Sequence, residues 1–354
     1  MKKKKLAAML ALAGLAGGSA WAQANPVAQA TPIDAATRRA VVASIKANLD
    51  RAYVFPEEAA IMDRALDASL KSGAFDAVTD GDAFSHALTD LLRHTSHDAH
   101  LEVRYFAQPV PTEKLDKADE ARHAAAELAQ QRRFNFGIAA VRRLQGNIGY
   151  MDMREFGRPQ GAAPRIAAAM NLLAGTDALI VDLRQCGGGD PDTVLAFASY
   201  LYDQPTHLND IYWRDENRTE RRWTAAKVPG LRYGQTRKVY LLTSGDTFSG
   251  CEDLAYALKN NHRATLIGAN TGGGAHAGGP RRLDAHFMMF VPSGRPINPV
   301  THTDWEGTGV APDVSVPADK ALDVAQVAAL RALAAGETDA EWKAKLEQRI
   351  AEIH

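Results

Sequence analysis

The chain has only two cysteines, Cys186 and Cys251, and neither follows the apolar run near its N-terminus, so no lipidated cysteine is expected there. No apolar stretch approaches the roughly 20 residues that a membrane-spanning helix needs, so no stable membrane anchor is expected. Charge of one sign is also lacking. With 41 Lys and Arg against 42 Asp and Glu, the formal net charge is −1, and nothing points to a nucleic-acid or anionic-membrane partner. The sequence has no G-x-G-x-x-G and no glycine loop ending in G-K-[ST], which leaves nucleotide binding unsupported. It has no H-E-x-x-H, and His94, His97 and His100 recur at i, i+3, i+6, so no metal site and no cofactor are expected.

What remains is ordinary for a globular protein, 46% apolar and 23% charged, except at the N-terminus. Lys2 to Lys5 precede an apolar run from Leu6 to Gly18, and Ala20 and Ala22 flank Trp21 in an A-x-A pattern. This is the layout of a cleavable export signal ending at Ala22, with Ala22-Gln23-Ala24 as a second register. The mature protein is therefore expected in the periplasm or outside the cell, where an even pair of cysteines is a disulfide candidate.

Five regions emerge from the patterning: a signal at 1–22, a small helical domain at 31–105, a charged linker at 106–135, an α/β core at 136–335 and a C-terminal helix at 336–354. In the helical part, Val41, Val42, Ile45 and Leu49 recur near helical spacing, and Pro56 interrupts the pattern. Asp80-Gly81-Asp82 opens another helix. From 146 onward, strand-like runs (146–153, 177–184, 238–244, then ATLIGA) alternate with helical ones (164–175, PDTVLAFASYLYD, GCEDLAYALKNN). Repeated β-loop-α units indicate a largely parallel sheet, whose ligands gather in loops at the strand ends. The long polar loop YDQPTHLNDIYWRDENRTERRWTAAKVPG is read either as cleft lining or as an exposed hairpin.

Ser249 falls just after a buried strand, at the start of a helix. Backbone N–H groups there lack intrahelical partners and would stabilise a developing negative charge. A plain N-cap is the competing role for this serine. Gly187-Gly188-Gly189 comes after the preceding strand and could bring further N–H groups close. An α/β-hydrolase esterase is disfavoured, because Ser249 lacks the G-x-S-x-G setting.

GNIGYMDMREF, ALIVDLRQCGGGDP, LLTSGDTFSGCEDLAYALKNNHRATLIGANTGGGAHAGG and DWEGTGVAPDVSV, in this order, resemble the tail-specific (C-terminal processing) serine peptidases. The resemblance is greatest to the branch with interphotoreceptor retinoid-binding-protein-like domains and the tricorn core. It covers roughly residues 33 to 330 and implies a crotonase-like or ClpP-like α/β fold. By this resemblance the nucleophile in S-x-x-E is Ser249. The general-base lysine of the processing branch would fall at Gly274, so a histidine in D-x-H-L, here His100, is the implied base. Glu306 in E-G-x-G-V-x-P-D is implied to orient and polarise the pair. Ala99 stands where the tricorn-like relay has a serine, and Ser96 or Asp98 are the candidate substitutes.

The implied reaction is acyl transfer on a protein or peptide substrate, with an oxyanion hole from Gly250 and Gly188. If those loops adjoin, Cys186 and Cys251 come close enough to pair; two buried thiols are the alternative. Only about thirty-five residues separate His100 from the first core strand, too few for a PDZ domain. A non-catalytic module binding a hydrophobic ligand or peptide on the same fold is the competing reading.

Overall fold

The computed structural model describes residues 32–110 and 117–353, and the expected export signal at 1–22 lies outside them. The described chain opens with helices Ala35–Ala52 (α1), Pro56–Lys71 (α2) and Gly81–Ser96 (α3), then strand Glu102–Tyr105 (β1) and helix Lys117–Arg133 (α4). Strands Ile138–Leu144 (β2) and Ile148–Met153 (β3), helix Pro159–Leu173 (α5), strand Ala178–Asp182 (β4) and helix Pro191–Ala198 (α6) come after them. Next are strands Asp210–Trp213 (β5), Arg218–Glu220 (β6) and Lys238–Thr243 (β7), helix Gly250–Asn260 (α7) and strand Thr265–Gly268 (β8). Strands Ala277–Arg282 (β9), Phe287–Ile297 (β10) and Val314–Ser315 (β11) and helices Ala321–Gly336 (α8) and Ala340–Ile353 (α9) complete it.

The first sheet has the order β11-β8-β7-β4-β3-β2, parallel throughout except for the β2–β3 hairpin. Every residue of β4 is buried, as expected for a parallel strand covered on both faces. The two-residue period divides its side chains. Leu179 and Val181 pack in one core with residues of α5, α6 and α7, and Ala178 and Ile180 pack in another with α8 and α9. Helix α5 begins at Pro159 rather than at Pro164. Pro159 opens the helix, where its missing N–H costs nothing, and Pro164 is accommodated within it.

A second sheet was not legible in the sequence. It is antiparallel: β10 pairs with β9 along one edge and with β1 and β5 along the other, and β6 extends it beyond β5. Gly278, Gly279 and Pro280 in β9, and Pro292, Gly294 and Pro296 in β10, hide these strands from a propensity reading. One face of the sheet is closed by the N-terminal helices. Leu283, Phe287, Met289 and Val291 share a buried cluster with Val41, Ile45, Leu49, Phe84 and Leu88. The helical front of the chain thus builds its core with strands some 200 residues later. That shared core anchors the turn after α3 against the rest of the molecule.

Candidate active site

Three loops at the carboxyl ends of the parallel strands, after β4, β7 and β8, meet beside the second sheet. Ser249 ends the loop after β7 and is the N-cap of α7, at φ 51°, ψ −120°. A non-glycine residue is rarely held there, at a cost of about 1–3 kcal/mol, and surrounding contacts must impose it. Two sets of contacts do so. The S-x-x-E spacing closes as a capping box, with Ser249 N–H donating to the Glu252 carboxylate at 2.8 Å. Glu252 is fully buried, and also accepts from Gly273 N–H at 2.7 Å, Gly274 N–H at 2.9 Å and the Thr271 hydroxyl. It thereby ties the loop after β8 to the serine turn.

The second set is covalent. Cys186 and Cys251 form a disulfide, joining the glycine loop to the first turn of α7. The bridge closes a loop 65 residues long, which in the chain-entropy account contributes about 4 kcal/mol. Phe248 N–H donates to Cys186 C=O at 2.9 Å, reinforcing the same junction. Gly188 then passes so near that a Cβ on it would stand 2.9 Å from that of Ser249, at a φ of 121° that favours glycine.

His100 lies just beyond α3, which ends in a left-handed residue, His97 at φ 59°. That turn and Asp98 set the imidazole: Asp98 Oδ1 accepts from His100 N–H at 2.9 Å. Across 149 residues of chain, His100 Nε2 lies 3.0 Å from Ser249 Oγ. The ring packs between Phe248 and Phe290, with centroids 4.7 and 6.0 Å away. Burial in this apolar slot depresses the His100 pKa to about 4, against the opposing charge of Asp98. At neutral pH its imidazole is therefore uncharged and able to accept a proton. Gly274, where the lysine of the processing branch would fall, abuts this ring: a Cβ there would come within 2.8 Å of His100 Cε1. The Phe248 ring, closer still to that Cβ position, and the histidine together occupy the space a side chain at 274 would need.

Behind His100 lies an arrangement the sequence did not announce. Asp98, 1% exposed, receives Tyr53 Oη at 3.1 Å and His276 Nδ1 at 2.7 Å on its Oδ2. Its Oδ1 is 3.9 Å from His100 Nδ1, beyond hydrogen-bond range. Glu306 does not touch His100. Its Oε2 accepts from the backbone N–H groups of Ala275 and His276 and lies 3.6 Å from His276 Nδ1. Desolvation, then the charge of Asp98, push the Glu306 pKa up to about 7. Ser96 accepts from Asp98 N–H and donates to Leu92 C=O, so it serves the turn. Among the described residues, Asp98, His276 and Glu306 form the one cluster with metal-ligand atoms within 4.8 Å of one another. The 2.7 Å contact within it is a hydrogen bond; two ligands of a tetrahedral zinc stand about 3.3 Å apart. Asp98 and Glu306 were expected near the catalytic pair from the resemblance, whereas His276, a lone histidine in GGGAHAGG, has no periodicity to interpret.

The expected oxyanion donors separate. Gly250 N–H, at the first turn of α7, has no partner among the described residues. Gly188 N–H instead faces Cys251 Sγ at 3.1 Å. Phe156 N–H donates to Gly188 C=O and Phe156 C=O accepts from Asp190 N–H, so the N–H and the C=O of Gly189 both lie on the opposite side, toward Gly250.

Ser249, His100, Gly189 and Gly250 open onto a cleft of about 570 Å³. Its apolar wall includes Phe290, Met288 and Pro280 from the second sheet and Ile211 and Trp213 from β5, within the long polar loop. Among the described residues, no strand pairs with the outer edge of β9. Leu283 N–H bonds to Phe287 C=O, so in this antiparallel register residues 279, 281 and 283 face β10. Gly278 N–H and C=O and Pro280 C=O then point outward along the cleft.

Two family models match the chain: peptidase family S41 over residues 147–316, and the N-terminal domain of peptidase S41 in eukaryotic IRBP over residues 28–136. Among solved structures, a lipoprotein from Streptococcus agalactiae is similar at 14% identity and TM-score 0.55, covering 82% of this chain and 94% of that one. Mature CPAF is similar at 12% identity and TM-score 0.54, covering 84% and 99%. The photosystem II D1 C-terminal processing protease overlays more loosely, at 15% identity and TM-score 0.48, covering 81% and 94%. At such identities the likeness is one of fold, and the family rests on the two matched models: the chain belongs to peptidase family S41.

Proposed function

We propose that this chain is an exported serine peptidase that cleaves extended peptide segments through an acyl-enzyme on Ser249. The observation that carries the proposal is the 3.0 Å contact between an uncharged, buried His100 and a strained serine beside unpaired N–H groups. His100 Nε2 takes the proton from Ser249 Oγ as that oxygen bonds to the substrate carbonyl carbon. The carbonyl oxygen, now negative, accepts from Gly250 and Gly189 N–H. The imidazolium then returns its proton to the departing amine as the C–N bond breaks. Water, deprotonated by the same nitrogen, attacks the ester carbonyl, releasing the acid and the free serine. Asp98, near His100 Nδ1, offsets the positive charge that His100 gains at each transition state.

Peptides rather than small esters are favoured by the outward edge of β9. It offers Gly278 N–H and C=O to a chain that pairs as an added strand, above an apolar floor. Export agrees with the disulfide, a bond that persists in oxidising compartments. Among the described residues no helix is long and apolar enough to cross a membrane.

Incubation with a mixture of unfolded proteins, with subsequent labelling of new N-termini, tests the reading. Fresh termini are expected with the wild type and not with Ser249→Ala. Equal cleavage by both would remove the proposal.

A further inference from the structure

Among the described residues, His100 Nδ1, His276 Nε2 and Glu306 Oε1 are buried without a hydrogen-bond partner, and the Asp98 carboxylate lies between the two histidines, 2.7 Å from His276 Nδ1 and 3.9 Å from His100 Nδ1. We propose that His276 is a positioning residue of this site, whose Nδ1 keeps the buried Asp98 carboxylate ionised and turned toward His100. The inference rests on the Ser249–His100 reading and deepens it.

A carboxyl group as buried as Asp98 would ordinarily take up a proton, and a neutral Asp98 could not offset charge on His100. Burial, the largest influence, pushes its pKa up, but the His276 hydrogen bond and charge, with smaller help from the His100 charge and backbone N–H, bring the carboxyl below its ordinary range. His276 is 3% exposed, with its ring edge against Phe55 at 5.5 Å. Desolvation opposes its charged form as well. The Asp98 hydrogen bond and charge, then Glu306 and Asp304, reverse this and hold His276 above the usual histidine value. The groups facing it are therefore Asp98, with Tyr53 behind, and Glu306 and Asp304 from the loop that precedes β11. All three carboxyl groups favour the imidazolium. Tyr53 shares Asp98 Oδ2 with His276, and together they leave Oδ1 to His100.

The His276 charge lowers the pKa of Asp98 and also that of His100. Without it both rise, and activity that needs ionised Asp98 and uncharged His100 is lost at a higher pH as the solution is acidified. A residue that merely fills space would leave that limb of the profile where it was.

The test is the rate at which a rhodamine-tagged fluorophosphonate labels Ser249 between about pH 3 and pH 9. In the wild type the rate should fall as pH drops through about 4, where His100 takes up its proton. His276→Asn retains a donor without the charge. It should label within about tenfold of wild type at pH 8, with its acid limb about one pH unit higher. His276→Phe removes both and should be slower by roughly thirtyfold or more at pH 8. An unmoved limb in His276→Asn overturns the inference, as does an unchanged rate in His276→Phe. If His276→Phe fails to fold, the limb of His276→Asn decides alone. A wild type that takes no label at Ser249 sinks the peptidase reading itself, an outcome distinct from equal labelling of all three proteins.

Discussion

His100→Ala should lower kcat/KM on a cleaved peptide by about 10³–10⁴, or about 4–5.5 kcal/mol of transition-state stabilisation, with little change in KM. Without the imidazole no group among the described residues is within hydrogen-bond distance of Ser249 Oγ to take its proton. The N–H donors of Gly189 and Gly250 and the apolar cleft remain, and they sustain a residual rate. The substitution also opens space between Phe248 and Phe290, so a thermal melt must accompany the kinetics. A loss below about tenfold in a folded variant would assign the proton transfer to another group. In the wild type, a base depressed to about 4 leaves kcat/KM flat from about pH 5 to neutrality.

The largest effect on stability is expected at Glu252. Its carboxylate is fully buried, and no lysine, arginine or histidine is among its hydrogen-bond partners. Burial accordingly pushes its pKa up, although the Thr271 hydroxyl and the N–H groups of Gly273, Gly274 and Ser249 all favour the anion. Glu252→Ala strands the three N–H groups in a dry interior. At about 1–3 kcal/mol for each buried donor left unpaired, partly relieved by relaxation, the loss should be about 3–5 kcal/mol. That corresponds to a fall in Tm on the order of 5–10 °C. Turnover should fall further than stability requires, because Ser249 N–H and the loop next to His100 lose a common tether. A Tm within about 2 °C of wild type would show that this carboxylate holds nothing in place.

Most of the first sheet was legible because parallel strands covered on both faces leave an unbroken apolar signature, as in ALIVD and VYLL. Ser249 was legible as a residue at a helix start, and its pairing with His100 came from motif resemblance, since no local pattern links positions 149 residues apart. The disulfide depended on that same adjacency, and Cys186 and Cys251 are joined. The second sheet was hidden by its composition: Gly278, Gly279 and Pro280 sit in the edge strand β9, and Pro292, Gly294 and Pro296 interrupt the central β10, where a register shift occurs between Pro292 and Gly294. The back of the site was hidden for another reason. His276 and Tyr53 look ordinary in sequence, and only the folded chain shows that the Asp98 carboxylate receives both a phenol and an imidazole. Glu306 was expected beside the catalytic pair. Asp98 is the carboxylate next to His100, and Glu306 lies beyond it, 3.6 Å from His276 Nδ1. Gly188 was expected to donate to the oxyanion; its N–H faces Cys251 Sγ, and the N–H and C=O of Gly189 both lie on the side of Gly250.

Treatment with a fluorophosphonate, then intact mass and peptide mapping, tests the central claim most directly. One adduct per chain is expected, on Ser249, absent when the protein is unfolded beforehand and greatly slowed in His100→Ala. No adduct on the folded protein, or an adduct on a different serine, would contradict it.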